Sequence, residues 1–184
     1  MKNQKNHLYT DNHAIDTRLI LNHTFTLIAM VNVSVIGGSE VSESICKTAY
    51  DLGRLLAKEG VTVICGGLLG VMECVSKGVK EEKGIVVGIL PGSDPKEGNK
   101  YLTVSIPTGI GYARNFLVVR AGEVVIAIDG STGTLSEASF ALAEGKTVVA
   151  IGGVDITPRK EKEGKFYRAA SPEEAVKIAL SIVN

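Results

Sequence analysis

Whatever chemistry this chain performs rests on one cation, one carboxylate and three glycine loops. The apolar run Val124 to Ile128 leads straight into Asp129-Gly130-Ser131-Thr132-Gly133, and then into the helix-like TLSEASFALAEG. A buried strand, a glycine turn and a helix N-terminus in succession aim free N–H groups and a positive dipole end at one spot. That arrangement predicts a cradle for a phosphate or another anion, with Gly130, Ser131, Thr132, Gly133 and Thr134 as its lining. Arg114 supplies a planar fork of donors suited to phosphate or carboxylate, or to an ordinary surface ion pair. Glu137 reads two ways. In T-L-S-E it completes a capping box begun by Thr134. In a site, the helix N-terminus and Arg114 would keep it ionised.

Two more glycine loops follow strand-like runs: Gly37-Gly38-Ser39 after Val31 to Ile36, and Cys65-Gly66-Gly67 after Val61 to Ile64. Gly37, Gly38, Gly66 and Gly67 are candidate ligand contacts, and Ser39 a second phosphate or ribose contact. Cys65, beside Gly66, is either a crevice residue or a small buried apolar one. The dinucleotide fingerprint G-x-G-x-x-G, the P-loop and the nucleophile elbow G-x-S-x-G are all absent. No lysine falls in the glycine loops, which sets aside pyridoxal-phosphate chemistry and with it lysine decarboxylation.

Strand-like and helix-like stretches alternate along the chain from Met30. Helices are expected over 42–58, about 70–82, 109–120, from Thr134 onward, and from Pro172. Strands are expected near 31–36, 61–64, 85–90, 103–106, 124–128, 147–151 and 165–169. Ser171 caps the last helix, with Glu174 completing a capping box. Alternation without hairpin signals predicts an α/β, Rossmann-like doubly wound, mainly parallel sheet with helices on both faces. Ligands in such folds sit at the strand carboxyl ends, where all three glycine loops fall.

The chain has 184 residues, 45% of them hydrophobic, and 20 basic residues balance 20 acidic ones. That bounds it to one main domain over 30–184 without an electrostatic nucleic-acid footprint. Residues 1–29, which hold all three histidines, read as an extension or arm. They carry no metal-site spacing, no secretory signal and no membrane span. Three cysteines, odd in number and without C-x-x-C spacing, predict reduced thiols in a cytoplasmic protein, with neither a disulfide frame nor a metal site.

The pattern Arg114 … Asp129-Gly130-Ser131-Thr132-Gly133-Thr134-Leu135-Ser136-Glu137, with Gly66-Gly67-Leu68-Leu69-Gly70-Val71-Met72 upstream, resembles the LOG ("lonely guy") family, formerly called lysine decarboxylase-like. The likeness spans roughly Val31 to Ile151. It implies a nucleotide-type ligand, Arg114 and Glu137 as candidate catalytic residues, and hydrolysis of the N-glycosidic bond of nucleoside 5′-monophosphates. The departures are Asn115 for the family's lysine, Asp129 for proline, Ser131 for glycine and Ser136 for the first glutamate. These are closer to the small relatives that include the molybdenum-cofactor carrier, which share their fold with DNA-processing Smf-like proteins. The resemblance therefore implies a carrier of a small phosphorylated ligand, a nucleotide monophosphate or a molybdopterin-type cofactor, with phosphoribohydrolase activity as the alternative and a DNA-processing role as a third. It also implies a homodimer or higher homo-oligomer; the apolar face of the Phe116–Val119 helix is either a candidate interface or simple core packing.

Overall fold

The computed structural model describes residues 31–130 and 132–183; the expected N-terminal arm and Ser131 lie outside them. The elements run β1 (Asn32–Gly37), α1 (Glu43–Lys58), β2 (Thr62–Cys65), α2 (Val71–Glu81), β3 (Val86–Leu90), β4 (Val104–Pro107), α3 (Arg114–Ala121), β5 (Val124–Ile128), α4 (Thr132–Ala143), β6 (Thr147–Ile151), β7 (Phe166–Ala169) and α5 (Pro172–Val183). The seven strands form one sheet in the order β4-β3-β2-β1-β5-β6-β7, and every pairing is parallel. This is the expected α/β, Rossmann-like architecture.

Strand order decides where a ligand fits. From β1 the chain winds outward through β2, β3 and β4, then returns at β5 to pair with the other side of β1, with Gly37 opposite Ile128. The loops leaving β1 and β5 diverge to opposite faces, and a crevice opens between them. Helices α1, α2 and α5 cover one face over Val33, Val35, Val63 and Ile126. Helices α3 and α4 cover the other over Ile36, Ile64, Val125 and Ala127. A strand buried on both faces must be apolar throughout, and β5, with all five residues buried, is.

Helix α1 buries Ala49, Leu52 and Leu56 at helical spacing, each large side chain contributing about 1.5–3 kcal/mol. Its Gly53 and the Gly78 of α2 let the two backbones meet: a Cβ on Gly53 would stand 2.3 Å from the Val75 carbonyl oxygen. On the opposite face the Ser34 hydroxyl, fully buried in β1, donates to the Val118 carbonyl at 2.6 Å and ties α3 to the sheet.

Three local expectations are corrected. Cys46 and Cys74 are joined in a disulfide, their Cα atoms 5.4 Å apart and 28 residues apart in sequence, so the expected set of reduced thiols is wrong for two of three. Each lies in the first turn of its own helix, and the glycine-mediated contact of α1 with α2 brings them together; spacing along the chain carries no trace of that. Cys65 alone is free, and it is buried. Helix α4 begins at Thr132, so Thr134 lies inside the first turn and is not its cap. The turn is closed earlier, by positive φ at Asp129 (45°) and Gly130 (119°). In α5, Ser171 caps as expected, accepting from Glu174 N–H, but the Glu174 carboxylate returns to the Ala170 N–H.

Candidate functional site

A cavity of about 410 Å³ occupies the crevice between the ends of β1 and β5. That is within the range of small-ligand pockets. Its walls include Gly37, Gly38, Ser39, Gly66, Arg114, Thr132, Gly133, Thr134 and Glu137 from the sequence-based set. Gly67 and Gly130 are not on the wall. Gly67, with φ +74°, backs onto Gly88 and Leu90, and its carbonyl accepts from Asn99. Gly130 turns toward Thr134, whose hydroxyl a Cβ there would strike at 2.2 Å.

The loops that follow β1 and β2 are fastened to each other. Val71 N–H donates to the Gly38 carbonyl at 3.0 Å. Gly70 adopts φ +66°, and a Cβ there would lie 2.3 Å from that same oxygen, so no other residue type fits. The fastening holds Gly37, Gly38 and Ser39 as a fixed wall opposite α4. Thr132, Gly133 and Thr134, the first turn of that helix, line the cavity, and a helix start is where backbone N–H groups lack intrahelical partners.

Arg114 starts α3 directly after a 3-10 turn at Gly111–Ala113. Its guanidinium is folded inward, 7% exposed, and passes over Gly66. A Cβ on Gly66 would come within 2.6 Å of Nη2 and 2.7 Å of Nη1, so glycine is required for the arginine to reach the floor. Nη1 donates to the Asn115 Oδ1 at 2.6 Å, and Nε is buried with no partner among the described residues. Burial draws the Arg114 pKa below its usual value, opposed by the charge of Glu137.

Glu137 stands in the second turn of α4, 8% exposed, with Oε1 3.8 Å from Arg114 Nη1. Among the described residues its carboxylate makes no hydrogen bond, and the capping-box role falls away because Thr134 is no cap. Burial raises its pKa to about 7, and the attraction of Arg114 offsets this only in part. A permanently ionised carboxylate was expected; the structure has a group poised between its two forms near neutrality. The reason is distance: at 3.8 Å the arginine is too far for a charge-assisted hydrogen bond, so desolvation dominates.

Arg114 and Glu137 are the only charged residues on the described wall. The result is a polar, anion-favouring floor with a single proton-exchanging group. Cys65, behind it, shares a hydrogen bond with Ser76 Oγ and lies beside the Met72 carbonyl, and burial raises its thiol pKa. It is a packed residue and does not line the cavity. Sequence reasoning missed Tyr112 as a wall residue, although its place two residues before Arg114 in the same tight turn was the available signal. Among the described residues no cluster of histidine, cysteine or carboxylate side chains suits a metal, and no helix is long and apolar enough to cross a membrane.

Known proteins share this framework. A protein of Archaeoglobus fulgidus is 38% identical over 152 residues, 83% of this chain and 96% of that one. The molybdenum cofactor binding protein of Rippkaea orientalis superposes with a TM-score of 0.78 at 33% identity, covering 85% of this chain and 99% of its own. The molybdenum cofactor carrier protein of Chlamydomonas reinhardtii does so with a TM-score of 0.73 at 28% identity, covering 84% and 98%. DNA processing protein A of Helicobacter pylori, at 19% identity and a TM-score of 0.62, shares the fold alone. Residues 30–176, which carry the Arg114, Glu137 and glycine-loop pattern, match the model of the SLOG cluster4 family, and the chain belongs to that family.

Proposed function

We propose that this protein binds a small phosphorylated heterocyclic ligand, a molybdopterin-type cofactor or a nucleoside monophosphate, and carries it without consuming it. The observation that supports the reading is Arg114: a buried guanidinium, 3.8 Å from the Glu137 carboxylate, on the same cavity wall as the first turn of α4. A buried cation without a close counter-charge costs stability. A phosphate at the start of α4 supplies that counter-charge. The description of two similar structures as binders or carriers of the molybdenum cofactor favours the pterin.

The test is calorimetric titration of the protein with isolated molybdenum cofactor and with GMP, repeated on Arg114→Leu. Binding of at least one that is lost in the variant supports the proposal; binding of neither, or binding indifferent to Arg114, refutes it. A second reading, hydrolysis of the N-glycosidic bond, is favoured by the near-neutral Glu137, which in its protonated form can assist a departing base. Release of free base from a nucleoside 5′-monophosphate panel, abolished in Glu137→Ala, would establish that activity in place of simple carriage.

A further inference from the structure

A second cavity, of about 420 Å³, adjoins the first on the side of α3 and α4. The two share Tyr112, Asn115, Thr132, Gly133 and Glu137, so they are compartments of one cleft. Their chemistry differs. The inner compartment has the guanidinium and the helix N–H groups. The outer one adds Phe116 and Ser136, and Tyr112 stands over both. The Phe116 ring is anchored against Phe140, with centroids 4.3 Å apart.

Tyr112 has no packing role that accounts for it. It is 92% exposed and makes no hydrogen bond with a described residue. The chain before it is turned by positive φ at Gly109 (67°) and Gly111 (58°), which holds the tyrosine at the mouth while Arg114, two residues later, reaches the floor. A water-exposed ring beside an anion site is a ready stacking face for a planar heterocycle.

We propose that the outer compartment seats the planar ring of the ligand, with Tyr112 stacking on its face and Ser136 and the Glu137 carboxyl meeting its polar edge, while the phosphate lies inside near Arg114. This rests on the phosphate reading above and extends it to the ligand's other half. The ring chemistry, a flat heterocycle with amino and carbonyl groups on its edge, is common to purines and pterins.

The experiment measures affinity for ribose 5-phosphate, GMP and a pterin monophosphate in the native protein, Tyr112→Ala and Tyr112→Phe. Stacking of this kind is worth about ten- to a hundredfold in affinity. Tyr112→Ala should weaken GMP or the pterin by about that factor and leave ribose 5-phosphate unchanged, with Tyr112→Phe close to native. Which of the two ring ligands loses affinity identifies the ring. Equal weakening of ribose 5-phosphate, or unchanged affinity for both ring ligands, overturns the proposal. If Tyr112→Ala instead converts an oligomer to a monomer in sedimentation with ligand affinities unchanged, the ring is a subunit contact and the proposal fails. Arg114-dependent binding of ribose 5-phosphate keeps the phosphate reading standing in either case; a native protein that binds none of the three probes removes both.

Discussion

Glu137 should impose a pH dependence on stability opposite in sign to that of an ordinary ion-paired carboxylate. Its carboxyl titrates at about 7 in the folded protein against a usual 4.5, because it is buried away from water. Between those values the folded chain holds a proton that the unfolded chain has released. Stability then falls as pH rises: it is undiminished below about 4.5 and reaches its floor above 7. The gap of about 2.5 pH units, at 1.36 kcal/mol each, amounts to about 3 kcal/mol. Glu137→Gln keeps the shape and removes the titration, and Arg114 stays cationic in both proteins across the window. Urea unfolding of both proteins at pH 4.5 and pH 8 should show the native-minus-variant stability falling by about 3 kcal/mol between the two. All other carboxylates cancel in that difference. A difference that does not change with pH, or a carboxyl carbon resonance of Glu137 titrating at or below 4.5, refutes the reasoning. An anion seated at the start of α4 disfavours the charged carboxylate further, so ligand binding at pH 8 should take up a proton, visible as buffer-dependent binding heats.

Two glycine substitutions should separate function from stability. Gly66→Ala puts a methyl group where the Arg114 guanidinium and the Met72 thioether lie, both ends of flexible side chains; GMP affinity should fall at least about tenfold while the melting temperature moves by only a few degrees. Gly53→Ala drives a methyl group into the Val75 backbone of α2, and denaturant unfolding should show a loss of about 1–3 kcal/mol. Reducing the Cys46–Cys74 bridge frees a 28-residue loop, worth about 3–4 kcal/mol in chain entropy. Scanning calorimetry with a dithiol present should therefore show a melting temperature lower by about 7–14 °C. Three reactive thiols in the unreduced, denatured protein, or an unchanged melting temperature after verified reduction, would count against the bridge.

The alternation of apolar runs with amphipathic helices was legible in the chain itself, because strand and helix periods are local properties of the backbone. So was the edge that holds the cavity: each glycine loop sits where a buried strand must turn into a helix, and Arg114 and Glu137 are the charged residues on its described wall. Tertiary structure alone decided what those residues became. Helix α4 starts at Thr132 and not after Thr134, because the turn is completed by left-handed backbone at Asp129, a conformation that aspartate tolerates but does not dictate. Gly67 and Gly130 serve close packing against Gly88, Leu90 and Thr134, a use of glycine that sequence cannot distinguish from ligand approach. Cys46 and Cys74 meet only because α1 and α2 touch through Gly53 and Gly78. Glu137 is the sharpest case. Its identity and its arginine partner were both readable, yet its charge state depends on a 3.8 Å separation and on loss of solvent. Desolvation belongs to the packed molecule as a whole, and so the chemistry of this carboxylate was settled by its burial and not by its neighbours in the chain.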